Sequence, residues 1–539
     1  MTLSTSVSLN QTPVLVVGAG IMGAGIAQVA AQAGHPVWLY DTREGAAAQA
    51  KAQLQATLES LAAKGKLTSD AVAATLARIT PAAVLADAAR AGLVVEAIVE
   101  KLDAKRSLFR ELEGLVSADC VLATNTSSIS VTAIANGLQR PQRLVGMHFF
   151  NPVPLMKLVE VVSGLQTAPE VAQAIFDLSK VWGKTPVHAK STPGFIVNRI
   201  ARPYYAETLA LLQEQAATPA VLDACLRAVG FRMGPCELMD LIGHDTNFSV
   251  TQSVYEANFF DKRFVPSLVQ RELVDGGLLG RKSGQGFYRY GEGAAKPADS
   301  VPAFEPDVWP DAGHGAVQVL SVVLAGQGPV ADWLAQRLDH ARTAGGHAPV
   351  FTRDPSANWV GLELTHTAGV LRLALTDGRP ATLWPQPDTV LFDLPLFAGS
   401  ATASGASTGN ATGVPVGVAL ACAASQRASH AAQELAWHTL RALGVLPLPL
   451  ADVPGLVVAR TLAMLINEAS DAVHQGVCTP EGADAAMKLG VNYPAGPFEW
   501  LARWDAAAVV HLLDALDAHC RGERYRVSPG LRLRAAVAV

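Results

Sequence analysis

Short, wholly apolar runs alternate with alanine-rich or amphipathic stretches through the first third of the chain. Val14–Val17, Val37–Tyr40, Leu93–Val95 and Val121–Ala123 offer no polar position to solvent. Runs of this kind predict strands buried on both faces of a parallel sheet, because a half-exposed strand would alternate. The stretches Ala24 to Ala33 and Ala46 to about Leu76 predict helices, the second broken at Lys64-Gly65-Lys66. Strand, helix, strand in succession is the pattern of an α/β domain.

One stretch departs from that alternation. Leu144 to Ser163 carries His148 at the end of one apolar run and Glu160 inside a second. Between them, Asn151-Pro152-Val153-Pro154 lacks two backbone donors and cannot continue a strand or a helix. The expected arrangement is strand, turn, antiparallel strand, which can set His148 beside Glu160. A carboxylate beside an imidazole fixes its tautomer and suits it to act as a general base. The bland alternative is a buried histidine and a strand glutamate with no chemistry.

Beyond Thr192-Pro193-Gly194-Phe195 the pattern turns helical. Ile196 to Gln213 predicts one long amphipathic helix with Asn198 in its first turn, where an amide can face a cleft or merely cap. Further helices are expected at Val221–Val229 and Glu237–Ile242, and Arg281 to Tyr288 closes the unit.

Composition narrows the classes. At 539 residues, half of them hydrophobic, the chain calls for three or four domains. A net charge of −5 and a pI near 6.2 leave no basic excess for nucleic acid. The six cysteines form no CxxC pair and no histidine cluster at metal spacing, so no metal is expected and a reducing cytoplasm is. Residues 1–12 carry neither a basic nor an apolar signal segment and read as a disordered tail, and no apolar run is long enough for a membrane.

The first apolar run feeds into Gly18-Ala19-Gly20-Ile21-Met22-Gly23, and the second closes on Asp41. Strand, glycines, helix, strand and acid in this order form a dinucleotide fingerprint. Gly18 makes the tight turn, Gly20 admits a pyrophosphate, and Gly23 lets helix and strand pack closely. The N-terminus of the helix that follows offers unpaired N–H groups to phosphate, and Ile21 and Met22 of the glycine turn are candidate contacts beside it. Asp41 suits the ribose hydroxyls and disfavours a 2′-phosphate, so NAD is the expected cofactor, with Arg43 nearby weakening that preference slightly. Glu96 ends a buried run, with Glu100 just beyond and Lys105 on the next helix. Thr124-Asn125-Thr126-Ser127-Ser128 is a hydroxyl-rich strand end. Ser128 is the candidate helix cap there and Ser127 the candidate cleft hydroxyl.

These segments, GAGIMGAGIAQVAAQAGH, VVEAIVE, NTSSIS, GMHFFNPVPLMKLVEVV and TPGFIVNR, closely resemble the L-3-hydroxyacyl-CoA dehydrogenase family over about Pro13 to Tyr290. The resemblance implies a Rossmann-type dinucleotide-binding domain followed by an all-α domain. It implies His148 as catalytic base, Glu160 as its partner carboxylate, Ser127 as a hydroxyl touching substrate and cofactor, and Asn198 as a substrate-positioning amide. It also implies NAD contacts at Asp41, Glu100, Lys105 and Asn151. Lys64 and Lys66 fall loosely where the family binds coenzyme A; the plain alternative is that they solvate a helix end. In the family the helical domain pairs with a second copy as a dimer.

The second half echoes the first. Val453-Pro454-Gly455-Leu456-Val457-Val458-Ala459-Arg460 parallels Thr192 to Arg199, with Ala459 where Asn198 stands, and Pro494 to Glu499 parallels Arg232 to Glu237. Val317–Leu320 is not followed by GxGxxG, and no second His–Glu pair occurs. The expected layout is a tail at 1–12, an NAD-binding domain at 13–191, a helical domain at 192–290 and a linker at 291–312. A degenerate Rossmann-like domain at 313–452, with a mobile loop at Gly399–Gly413, and a second helical domain at 453–539 complete it. The fused copy would take over the family's dimer interface, leaving one active site per chain, with homo-oligomerisation still open.

The expected reaction is reversible NAD-dependent oxidation of a (3S)-3-hydroxyacyl-CoA, in fatty-acid β-oxidation or in phenylacetate-type aromatic catabolism. Relatives imply a 3-hydroxybutyryl or a 3-hydroxyadipyl thioester. Two rivals stand beside it: a dehydrogenase of a free hydroxy or sugar acid on the same fold, and a non-catalytic scaffold relative.

Overall fold

The computed structural model describes residues 9–294, 303–305, 307, 309, 317–343, 348–395 and 417–537. They form two compact units. One holds the chain up to Ile200 together with Ala472–Val491; the other holds Ala201–Asp471 and Asn492 onward.

The first unit is built on eight strands, β1 (Val14–Val17), β2 (Val37–Tyr40), β3 (Ile79–Pro81), β4 (Leu93–Glu96), β5 (Val121–Thr124), β6 (Leu144–Phe149), β7 (Leu158–Ser163) and β8 (Thr185–Lys190). Their order is β3-β2-β1-β4-β5-β6-β7-β8. Every pairing is parallel except β6 with β7. The apolar runs are fully buried in β1, β4 and β5, as strands covered on both faces must be. Strand order reverses between β1 and β4, so a crevice opens at their carboxyl ends, the usual ligand position in an open α/β sheet. The first helix, Ile21–Gln32, begins three residues before the expected start and caps directly on Gly20. The break at Lys64 to Lys66 separates the helices Ala46–Ala63 and Ser69–Ala77.

A segment from the far end of the chain belongs to this unit. The Lys190 amide donates to the Val477 carbonyl at 2.9 Å, and Arg199 Nη1 donates to Gln475 Oε1 at 2.8 Å. The helix Pro480–Gly490 ends against β7, where a Cβ on Gly490 would lie 2.7 Å from Leu158 Cδ2.

The second unit contains a seven-stranded sheet, β9 (Val319–Ala325), β10 (Phe351–Asp354), β11 (Gly361–His366), β12 (Gly369–Leu375), β13 (Thr389–Phe392), β14 (Val418–Ala424) and β15 (Val445–Pro449), in the order β10-β9-β11-β12-β13-β14-β15. It is mixed: β11 runs antiparallel to both β9 and β12. The expected strand at Val317–Leu320 instead starts at Val319 and runs to Ala325. It is followed by Gly326-Gln327-Gly328-Pro329-Val330-Ala331, so two glycines of the turn survive with alanine in the third place. The antiparallel β11 brings Trp359 to that end: a Cβ on Gly326 would meet the Trp359 carbonyl at 2.5 Å.

Helices complete the second unit. The expected helix from Ile196 to Gln213 is two pieces, Val197–Ile200, which belongs to the first unit, and Arg202–Gln213, which belongs to the second. Pro203 explains the break, because it has no N–H for the carbonyl four residues back. Arg460 is buried in this unit, giving Nε to Glu207 at 2.9 Å and Nη2 to Glu214 at 2.8 Å. Within the expected linker, Asp307 pairs with His438 and Arg441, and Trp309 is buried. The loop Gly399–Gly413 lies outside the described residues, as do residues 1–8 of the expected tail.

Candidate active site

The β6–β7 register sets His148 directly opposite Glu160. His148 Nδ1 lies 2.5 Å from Glu160 Oε2, with the two residues 5% and 0% exposed. The other carboxylate oxygen, Oε1, accepts from the Ile196 and Val197 amides at 3.0 and 2.9 Å. Phe195, at φ +46°, bends the chain so that these two amides converge. An ionised carboxylate can only accept, so Nδ1 carries the proton and Nε2 is left with its lone pair. Phe150 and Phe195 pack around the ring at centroid distances of 4.5 and 5.8 Å.

Glu100 organises the loop beside this pair. Its Oε1 accepts from Thr126 Oγ1 at 2.6 Å, the Ser127 amide at 2.9 Å and the Ser128 amide at 3.2 Å. Burial alone would raise the Glu100 pKa, but the Lys105 charge and the Thr126 and Ser127 hydrogen bonds outweigh it and lower it. Asn198 Nδ2 donates to the Ser127 carbonyl at 3.4 Å, so the serine loop and the amide are brought together. Asn125 Oδ1 holds the Phe149 amide at 2.8 Å, next to His148. Ser128 turns to Glu100, and Ser130, not Ser128, caps the helix Val131–Ala135.

Lys105, expected beside the dinucleotide, is 1% exposed. Its ammonium sits 2.5 Å from Glu96 Oε1 and 3.1 Å from Glu100 Oε2. Glu96 also accepts from Thr124 Oγ1 at 2.6 Å and the Ile98 amide at 2.7 Å. The buried Glu96–Lys105–Thr124 cluster was not legible as a unit. Its only signal was an acid closing the run Leu93–Val95, a costly residue to bury without partners.

At the glycine turn the chain fits a dinucleotide. A Cβ on Gly18 would lie 2.4 Å from the Ala97 carbonyl and one on Gly23 1.7 Å from the Gly18 carbonyl, so both must be glycine. Around Gly20 nothing lies within 4 Å of that position, leaving open space at the helix N-terminus. Ile21 is exposed and Met22 half-buried there. Asp41 Oδ2 accepts from the Ala19 amide at 2.8 Å, and Arg43 bonds both of its oxygens at 3.1 and 3.2 Å. Burial would raise the Asp41 pKa, but these Arg43 and Ala19 bonds lower it. Lys64, Lys66 and Asn151 are solvent-exposed.

The second unit keeps the scaffold of this site without its chemistry. Val187, five residues before Thr192, pairs Glu160. Leu448, five residues before Val453, pairs Ala421, whose carbonyl accepts from the Asp393 amide at 2.9 Å. An aspartate therefore stands where the first unit has histidine, and an alanine where it has glutamate. Asp393 Oδ2 takes the Val457 and Val458 amides at 2.9 and 2.6 Å, and Oδ1 takes those of Ala459 and Leu394 at 2.9 and 2.8 Å. Leu456, at φ +53°, repeats the bend of Phe195. Both oxygens are spent on backbone, and the buried carboxyl has its pKa pushed up to about 6 by desolvation. A second histidine–acid pair, His244 Nε2 to Asp240 Oδ1 at 2.8 Å, is wholly buried and locks the closing loop, since Asp240 also accepts from the Phe287 and Tyr288 amides. Among the described residues there is no cluster suited to a metal ion and no helix long and apolar enough to cross a membrane.

Residues 13–192 match the family described as 3-hydroxyacyl-CoA dehydrogenase, NAD binding domain. Residues 194–290 and again 455–535 match its C-terminal domain. The chain belongs to the 3-hydroxyacyl-CoA dehydrogenase family. It is 42% identical over 532 residues to a 3-hydroxyadipyl-CoA dehydrogenase of Escherichia coli, covering 98% of each chain. It is 41% identical over 284 residues to a mitochondrial hydroxyacyl-coenzyme A dehydrogenase of Sus scrofa, covering 51% of this chain and 90% of that one. A crystal structure of 3-hydroxybutyryl-CoA dehydrogenase from Escherichia coli superposes with a TM-score of 0.80 at 39% identity, over 98% of this chain and 99% of that one. The doubled match of the C-terminal family confirms the internal repeat in its helical part. As a family member, this protein is an NAD-dependent 3-hydroxyacyl-CoA dehydrogenase with an NAD-binding domain in its first third.

Proposed function

We propose that the protein oxidises (3S)-3-hydroxyacyl-CoA thioesters reversibly, with His148 as the general base. The carrying observation is the 2.5 Å contact of His148 Nδ1 with a glutamate whose second oxygen is tied to two amides. That arrangement leaves Nε2 to take the proton of the C3 hydroxyl. NAD, when bound, accepts the hydride from C3. Glu160 stabilises the imidazolium that forms. Ser127 and Asn198 hold the hydroxyl and thioester ends, and Glu100 sets the Ser127 loop. Gly18, Gly20 and Gly23 admit the pyrophosphate at the amides of Ile21 and Met22, and Asp41 receives the ribose hydroxyls. Asn151 contributes to cofactor contact, and Lys64 and Lys66 meet the coenzyme A phosphates. Positioned proton transfer of this type contributes on the order of 10²–10⁴-fold.

The two Escherichia coli matches that each cover 98% of the chain, one a sequence and one a solved structure, carry different acyl groups in their names, adipyl and butyryl. A dicarboxylic thioester is the favoured substrate here, because of these two full-length matches the one named for the adipyl substrate has the higher identity, 42% against 39%. Aromatic catabolism is then the setting. All six cysteines are free and four are buried, which supports a reducing cytoplasm. With the histidine and glutamate replaced in the second unit, one active site per chain follows.

Steady-state NADH formation from 3-hydroxyadipyl-CoA and 3-hydroxybutyryl-CoA tests the reading. Oxidation of neither thioester defeats it, and NADH titration giving two sites per chain defeats the single-site part.

A further inference from the structure

Lys184 is a buried cation of the first unit with no acid beside it. It is 8% exposed. Its ammonium donates to the Val153 carbonyl and, at 2.8 Å, to the Met156 carbonyl. Among the described residues no carboxylate pairs with it. A buried charge is costly unless it is compensated, so what this one holds has to justify its place.

The two carbonyls belong to the turn between β6 and β7. The Leu155 and Met156 amides both donate to the Pro152 carbonyl, at 2.9 and 3.0 Å, so the turn makes one helical wind. The carbonyl end of such a wind favours a cation. Phe150, just before the turn, packs on the His148 ring. Val153 meets the helix Ile21–Gln32 that starts at the glycine turn: a Cβ on Gly25 would lie 2.9 Å from Val153 Cβ and 3.6 Å from Pro154 Cδ. Lys184 itself is set by the end of the helix Pro169–Val181. Gly183, at φ +72°, reverses the chain there, and the Lys184 amide donates to the Ser179 carbonyl at 2.9 Å.

We propose that Lys184 is a positioning residue for the cofactor: its ammonium clamps the turn Asn151–Met156 onto the helix Ile21–Gln32 and so holds Asn151 against the dinucleotide. The inference rests on the reading of Asn151 as a cofactor contact. Burial, with the charge of Lys157 acting the same way, lowers the Lys184 pKa to about 8. Above that value the neutral amine still donates but has lost the charge that strengthens its bonds to the carbonyls. Neither the turn nor the helix Ile21–Gln32 carries a titratable side chain. On the helix Pro169–Val181, Asp177 and Lys180 are exposed and pair with each other at 3.7 Å. On β7 and β8 the titratable groups are Glu160, held by His148, and the exposed His188 and Lys190.

The test uses the full chain and the variants Lys184→Met, Gly25→Ala and Asn151→Ala. Lys184→Met keeps the apolar stem and removes the charge and its donors. Gly25→Ala leaves Lys184 in place and pushes Val153 off the helix. The readout is the NADH dissociation constant by fluorescence titration at neutral pH and at about pH 9.5, above the lysine's value. The KM for 3-hydroxybutyryl-CoA is measured beside it, and urea unfolding establishes that each variant is folded. Lys184→Met and Gly25→Ala are each expected to weaken NADH binding about tenfold, with the thioester KM nearly unchanged. The Lys184→Met deficit should shrink at the higher pH, and the Gly25→Ala deficit should not. NADH affinity within about twofold of the parent in Lys184→Met, while Asn151→Ala weakens it, overturns the proposal; so does a Lys184→Met deficit that is the same at both pH values. If Asn151→Ala also binds NADH as the parent does, the cofactor reading of the turn fails, and the inference with it. A parent that binds NADH but oxidises no thioester overturns the proposed function instead, and the NADH titrations still decide the clamp.

Discussion

Glu160 divides its two oxygens between a side chain and the backbone: Oε2 meets His148 Nδ1 at 2.5 Å, and Oε1 takes the Ile196 and Val197 amides. This fixes what Glu160→Gln does. The amides donate, so the glutamine must keep its carbonyl on them and turn its NH₂ to the imidazole. His148 then has to accept at Nδ1 and carry its proton on Nε2, the wrong tautomer for a base. The expected loss in kcat is about 10³–10⁴-fold, as for an equivalent amide exchange behind a catalytic histidine. His148→Gln should lose at least about 10²-fold. NADH affinity, read by fluorescence titration, should stay within a few-fold for both; turnover within tenfold of the parent would remove the pair from the mechanism.

Lys105 invites a different test. Its ammonium is sealed between Glu96 and Glu100, and Glu96 is fully buried. Lys105→Met strands that carboxylate, which should cost about 3–5 kcal/mol of stability. Urea unfolding of the first unit measures it. A stability change under 1 kcal/mol would mean that the lysine matters through direct cofactor contact.

The Asp41–Arg43 pair bears on cofactor choice. Arg43 is mostly exposed and held by both oxygens of Asp41. Asp41→Ser removes the ribose acceptor and releases a guanidinium that suits a 2′-phosphate. The kcat/KM ratio of NAD over NADP should fall by about 10- to 100-fold. An unchanged ratio would place ribose recognition elsewhere.

Glu207 makes the second unit acid-labile. Burial would raise its pKa, but Arg524 and Arg460 outweigh that and lower it. A folded pKa below the unfolded one adds stability above the unfolded value, near 4.5, and that stability is lost as pH falls through the folded value. Glu207→Gln should destabilise by about 3–5 kcal/mol at neutral pH, leaving buried guanidiniums without their charge partner. The difference from the parent should shrink below pH 4.5. A gap that stays constant from pH 7 to pH 3 would contradict the assignment.

Much of the site was readable along the chain because its pieces are local. An apolar run ending in glycines is a strand meeting a helix N-terminus, and two prolines between two apolar runs force the turn that puts His148 opposite Glu160. The repeat of the segment Thr192–Arg199 at Val453–Arg460 was also visible, since each motif is a handful of adjacent residues. Local steric rules settle such features before any distant contact forms.

What only the tertiary structure decided involves residues far apart in the chain. The second oxygen of Glu160 finds amides beyond residue 195; Lys105 is sealed by acids on a strand and a loop; and residues 472–491, from the repeated half, pack into the first unit. Asp393 stands where His148 stands because of strand register, which no motif announces. Sequence patterning encodes which faces must be buried, but a buried charge is satisfied by whichever group the fold brings within about 3 Å, and that partner is chosen by packing.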